Sequence, residues 1–265
     1  MVQFGENKYS KTYCLFLLLA GFFITNALVA EFIGVKIFSF EETIGIAPFQ
    51  FSFFGERNLG LNLTAGVVLW PVVFLMTDII NEYFGAKKVK MLSYLTIGLI
   101  LYAFLMVYFA ISLSPNDWWQ FQSGSLNADA SLHVSDMDLA FNKVMGQGLW
   151  IIVGSLVAFL IGQIIDVSVF HKIKKITGEK KIWLRATGST FISQFIDSYV
   201  VLIIAFYIGA DWDISMVLAI GTVNLIYKVV VAIILTPVIY LLHNIIDNYL
   251  GKDLAKELKK QAAES

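Results

Sequence analysis

Six apolar runs decide what this 265-residue chain can fold into. They lie at about 13–35, 62–85, 89–113, 148–170, 187–209 and 215–245. Each reaches the ~20 residues that a helix needs to cross a ~30 Å hydrocarbon core. Strands fit poorly, because runs this long lack the alternation of a membrane barrel. A mean hydropathy of +0.73, with 58% hydrophobic and 15% charged residues, agrees. The expected fold class is all-α: a polytopic membrane protein with six transmembrane helices, forming one integral membrane domain over 1–265.

Lysine and arginine orient the bundle. Lys8 and Lys11 precede the first run, Lys87, Lys88 and Lys90 follow the second, and Lys172, Lys174, Lys175, Lys180, Lys181 and Arg185 separate the fourth from the fifth. With Lys252, Lys256, Lys259 and Lys260 in the tail, 15 of the 19 basic residues fall on one side. The opposite loops hold only Lys36, Arg57 and Lys143, among acids that include Glu41, Glu42, Asp136 and Asp138. The positive-inside bias therefore places both termini in the cytoplasm. No cleavable signal peptide is expected, since the first run is too long and no small-residue cleavage site follows it.

Cys14 is alone, which rules out disulfides and thiolate metal sites within one chain. His133, His171 and His243 have no ligand spacing, so neither a metal nor a cofactor is expected. In the first outer loop, Phe38 and Phe40, then Phe49, Phe51 and Phe53, alternate with period two. The pattern fits a short hairpin on the outer surface. Aromatics anchoring helix ends at the interface fit equally well. Trp118 and Trp119 read as belt residues, the lysine-rich stretch 171–185 as a loop near anionic lipid, and 247–265 as a short surface helix.

Inside the apolar runs stand six ionisable residues: Glu31, Asp78, Glu82, Asp166, Asp197 and Lys228. A charge in the bilayer core costs roughly +2.5 to +3.5 kcal/mol even on the lenient insertion scale. A chain that keeps six handles a polar solute. Helical spacing organises them further. Thr190, Ser193, Gln194 and Asp197 form one stripe, Gly221, Asn224 and Lys228 another, while Asp78 and Glu82 follow Pro71 and Gln163 pairs with Asp166. Four polar stripes thus point at a common interior.

Depth separates them. Asp197 lies about ten residues into its helix, roughly 15 Å at the rise of an α-helix, and Lys228 sits near the middle of the last run. Asp78, Glu82, Gln163 and Asp166 lie one or two turns from the lysine-rich surface, Asn26 near the middle of the first run and Glu31 nearer its outer end. Plainer readings stand beside the functional ones. Asp197 and Lys228 form either a structural ion pair or part of a substrate site. Glu82 can snorkel to the interface, and Gln163, Gln194 and Asn224 can act as interhelical glue.

The stretch from Trp70 through Pro71 and Thr77 to Asp78, continuing to Glu82 and Gly85, resembles the second-helix signature of the queuosine precursor transporter family, also called the vitamin uptake transporter family. Gly162, Gln163 and Asp166, with Val169 and Phe170, are similar to its fourth-helix motif. Ser189, Thr190, Gln194 and Asp197 resemble the fifth, and Lys228 with Pro237 the sixth. The resemblance covers roughly residues 62–245. It implies import of 7-deazaguanine bases (preQ0, preQ1 or queuine) into the cytoplasm through a bacterial inner membrane, for tRNA modification. It also implies kinship with the six-helix substrate-binding components of energy-coupling-factor transporters. The candidate substrate-binding residues, from the polar stripes and the resemblance together, are Asn26, Trp70, Asp78, Glu82, Gln163, Asp166, Gln194, Asp197, Asn224 and Lys228.

A guanine-like ligand suits these residues chemically. Its Watson–Crick edge presents N–H donors that a carboxylate accepts in pairs, and carboxamides satisfy its carbonyl and ring nitrogens. Trp70, Phe170, Phe195 and Tyr227 are available as walls for its faces. Alternatives are a carrier for another vitamin-like heterocycle, an intramembrane enzyme, or a scaffold. No metal-ligand motif or paired nucleophile supports catalysis, and no GxxxxGK[ST] loop is present. The expected partners are a small nucleobase and the lipid bilayer, with no nucleic acid. A homodimer is left open.

Overall fold

The computed structural model describes residues 3–121, 134–146, 149–177 and 182–264. Residues 122–133, Lys180 and Lys181, and the side chains of Lys8, Arg185 and Thr190, lie outside what is described. Six helices are long and apolar enough to span a membrane. They are carried by α1 (Gln3–Ile33), α3 (Trp70–Phe84), α4 (Ala86–Ile111), α7 (Leu149–Thr177), α8 (Ile182–Leu202) and α9 (Ile214–Leu250). Short helices α2 (Phe40–Ile44), α5 (Asp117–Gln120) and α6 (Met137–Met145) lie in the connections, and α10 (Lys252–Glu264) ends the chain. The chain is an all-α polytopic membrane protein.

The helices extend beyond the apolar runs because the flanking residues are good helix formers. Lysine and glutamate carry almost no propensity penalty, so α7 continues through Lys172, Lys174 and Lys175 to Thr177. Those lysines are therefore helical, a correction to the loop expected for 171–185. At the other extreme α3 starts only at Trp70, with Pro71 in its first turn, where a missing N–H does no harm. Before it, a 3-10 turn over Ala65–Val68 passes so close to α1 that a Cβ on Gly66 would lie 2.3 Å from the Ala30 carbonyl oxygen. Only glycine lets the chain enter the bundle there.

α3 is the axis of the bundle: 12 of its 15 residues are buried. Val73, Met76, Ile79, Ile80 and Tyr83 join Leu19, Phe23 and Ala27 of α1, and Phe159 and Val167 of α7, in the main core. α4 runs along the outside and turns Leu101, Tyr102, Leu105, Tyr108 and Phe109 outward, as a lipid-facing helix must. The tail helix α10 is more than a surface helix. Ala255 and Ala262 are buried, and Lys259 sits 2.9 Å from Asp247 and 4.9 Å from the Tyr83 ring centre. Tyr83 in turn donates to Asp247 at 2.6 Å, tying the tail to the end of α3.

At the opposite end the chain builds a small cap. Strand β1 (Ile37–Ser39) pairs antiparallel with β4 (Asn62–Thr64), and between them β2 (Phe51–Phe53) pairs antiparallel with β3 (Glu56–Leu59). The two-residue connection Phe54–Gly55 has positive φ at both positions, as a type I′ hairpin requires. The alternating phenylalanines are its underside: Phe38, Phe40, Phe51 and Phe53 pack with Leu61, Leu63 and Val67 against Val223 and Tyr227 of α9. The period-two pattern thus marks a hairpin seated on the bundle.

Glu41 holds this cap together. It is 1% exposed, and its Oε1 accepts from the backbone N–H groups of Leu61 at 2.7 Å and Phe49 at 3.2 Å. Burial alone raises its pKa, but these main-chain donors outweigh it, so the pKa lies below its ordinary value of 4.5. A depressed carboxylate contributes stability that is complete above the unfolded value and is lost as pH falls through the lower, folded one. The thermal stability of the wild type should therefore fall on acidification below about pH 4.5 more than that of Glu41→Gln. Parallel pH profiles for the two proteins would refute this.

Candidate functional site

The polar interior is assembled by three helix seams. Between α7 and α8, which a π-helical turn over Ile203–Ile208 continues, the register is antiparallel: Asp166 meets Ser193, Gly162 meets Asp197, and Gly154 meets Ala205 of that turn, so each step of four or eight on one side is matched on the other. Gly154, Ala158 and Gly162 recur every four residues, the small-residue spacing that lets membrane helices approach closely. A Cβ on Gly154 would lie 3.0 Å from the Val201 carbonyl oxygen. This close seam brings the α8 stripe against α7.

Asp166 is fully buried at that seam. Ser193 donates to its Oδ1 at 3.2 Å, and Ser189 also hydrogen-bonds to it. Its Oδ2 has no hydrogen-bond partner among the described residues. One turn away Gln163, 1% exposed, uses Oε1 to accept from Thr77 of α3 at 3.0 Å, while its Nε2 is buried without a partner among the described residues. Asp78 is buried beside Thr77. Both amide atoms of Gln194, 3% exposed, are likewise without partners.

The α8–α9 seam holds the expected ion pair. Lys228 Nζ lies 2.5 Å from Asp197 Oδ2, with the two side chains 6% and 14% exposed. Tyr199 and Thr222 share a hydrogen bond of 2.9 Å nearby. Gly162, the residue before Gln163, faces the Asp197 Cβ and so brings the ion pair to this turn of α7. Gln163, Asp166, Asp197 and Lys228 thus lie on connected seams of α3, α7, α8 and α9.

The α3–α7 seam departs from expectation. Glu82 does not snorkel; it is 1% exposed and lies 3.1 Å from Lys174, itself buried. Beside it Asn81 Oδ1 and His171 Nε2 are 2.8 Å apart. Glu82 is thus an ion-pair partner at the lysine-rich end. Continuing the helical spacing of α7 from Gln163 through Asp166 and Phe170 reaches Lys174, a signal hidden by reading those lysines as loop. Glu31, deeper toward the cap, accepts from Ser155 of α7.

Other expected site residues lie apart from this locus. Asn26 donates to the Phe22 carbonyl of its own helix at 2.8 Å. Trp70 packs on Phe159, ring centres 5.3 Å apart, in the apolar core. Asn224 is half-buried one turn from Lys228. Of the expected aromatic walls Phe170 is buried, but Phe195 is 48% exposed and faces out. Thr77, Asn81 and His171 join the seams although nothing in their spacing singles them out.

Six spanning helices with a buried, partly unsatisfied polar seam define an integral membrane transport protein. The family described as "Putative vitamin uptake transporter" matches residues 64–242, and the chain belongs to that family. It is similar to a "Probable queuosine precursor transporter" of Bacillus subtilis, 27% identical over 190 residues, 71% of this chain and 75% of that protein. A protein of the same name from Haemophilus influenzae is 27% identical over 182 residues, 68% of this chain and 67% of the relative. The "Queuosine precursor transporter" of Escherichia coli is 26% identical over 208 residues, 78% and 83% of the two chains. No solved structure matches the chain.

Proposed function

We propose that this protein imports queuosine precursors, 7-deazaguanine bases, across a bacterial cytoplasmic membrane. Both termini face the cytoplasm, because the helix ends rich in lysine lie together with the tail helix, away from the cap. The base enters past the cap and is released among α3, α7 and α8 at the lysine-rich end. The protein acts as a carrier and leaves its substrate chemically unchanged.

One observation carries this reading: Asp166 Oδ2 and Gln163 Nε2, an acceptor and a donor one turn apart, are both buried and without partners among the described residues. Native proteins rarely leave such groups unsatisfied, and each one costs about 1–3 kcal/mol. A guanine-like edge supplies the complement. Its adjacent N–H groups donate to the carboxylate, and its carbonyl oxygen accepts from the amide. The names of the relatives point to the same ligand class.

Proteoliposomes containing the purified protein should accumulate or exchange labelled 7-deazaguanine bases and return them unmodified. A chemically altered product would make the protein an enzyme. No movement of any deazaguanine base would overturn the reading.

A further inference from the structure

α9 runs for 37 residues, and its buried residues fall into two groups with different partners. The first group includes Gly221, Val223 and Lys228. This half belongs to α8 and the cap. Lys228 contacts Asp197, Thr222 shares a hydrogen bond with Tyr199, and Val223 lies under the cap's phenylalanines. A Cβ on Gly221 would lie 2.8 Å from the Tyr199 ring. The second group is Ile239, His243, Ile246 and Leu250, and this half belongs to α1, α3 and the tail. Tyr83 of α3 reaches His243 at 3.1 Å and Asp247 at 2.6 Å, and Lys259 of α10 closes on Asp247 at 2.9 Å. None of the residues 229–238 between the two groups is buried.

Pro237 stands in that gap. It has no N–H to give to the Ile233 carbonyl, and its ring crowds that oxygen, so the helix is weakest there. Sharp bends in long helices arise at such positions. Thr236, beside it, donates its hydroxyl to the Ala232 carbonyl at 3.1 Å, a back-bond that also favours bending. Ile233, Ile234 and Val238 are exposed, so little packing splints the segment.

We propose that Pro237 is the hinge on which this carrier opens its lysine-rich end. The half of α9 after it swings with α3 and the tail helix, while the half before it stays on α8. The inference rests on the carrier function proposed above. A carrier exposes its site to each side in turn by rocking one group of helices against another. α9 is fastened to both groups, to α8 through Asp197 and Lys228 and to α3 through Tyr83. A stiff α9 would have to break one fastening in every cycle. A bend at Pro237 leaves both in place.

Labelled 7-deazaguanine, followed by equilibrium binding in detergent and by uptake into proteoliposomes, separates a hinge from a merely structural proline. In the full-length protein Pro237→Ala restores the missing N–H. It should leave the Kd unchanged and the unfolding temperature no lower, yet slow uptake about tenfold, the scale of one added hydrogen bond on the barrier to bending. Pro237→Gly, with a backbone freer to bend, should recover most of that rate. Wild-type uptake by Pro237→Ala overturns the hinge. So does a loss of binding or of thermal stability alongside uptake, or a glycine variant as slow as the alanine one. A wild type that does not move the base overturns the carrier function itself.

Discussion

Replacing Lys228 with alanine should destabilise the bundle by about 3–5 kcal/mol, the range found when one partner of a buried ion pair is removed. The loss arises from what remains. Asp197 is 14% exposed, contacts Lys228 at 2.5 Å, and would keep a carboxylate at mid-depth with its cation gone. Neutralising the stranded partner should relieve that penalty. Lys228→Ala with Asp197→Asn should therefore unfold at a higher temperature than Lys228→Ala alone. If the double variant is as damaged as the single one or worse, the pair does not act as a compensating unit.

Asp166→Asn should weaken binding of a deazaguanine base by about tenfold to several-hundredfold, equivalent to 1–3 kcal/mol or more. The substitution keeps the shape of the side chain. Ser193 can still donate to the remaining oxygen, so the local fold should survive. What changes is the unpartnered position, where an amide donor would face the ligand's own donors. Glu82→Gln is the contrast, because its carboxylate belongs to Lys174 and not to the seam with α8. Adenine presents the opposite pattern on its Watson–Crick edge and should bind the wild type poorly. Titrating both bases against the Asp78→Asn, Glu82→Gln and Asp166→Asn proteins measures this. Wild-type affinity in Asp166→Asn, with adenine still rejected, would place recognition on another group.

The parts of the structure legible in the sequence are those set by one-dimensional quantities. Span number follows from run length, and the Asp197–Lys228 pair from two opposite charges at matching depth, where neither tolerates isolation. Relationships set by side-chain direction were harder to read. Phe195 shares the depth of the polar stripe yet faces out, because position along a helix does not specify rotation within a bundle. Glu41 was one acid among many in a loop. Its importance lies in main-chain donors at Phe49 and Leu61 that no residue pattern announces. The Glu82–Lys174 pair is not legible in the sequence, because a cluster of positive charge reads as the end of a helix that here continues to Thr177.

The seams differ in what motion they permit. Along α7 and α8 glycines bring one helix within contact of the other's backbone, and sliding would drive backbone into backbone. Close-packed interfaces of this kind move as one body. The α3–α7 seam is joined instead by side chains: Thr77 to Gln163, Asn81 to His171, and Glu82 to Lys174. Such bonds exchange for bonds to water with little net change in free energy. The α3–α7 seam is thus the one able to part, from Glu82 and Lys174 inward to Gln163, while α7 and α8 stay together.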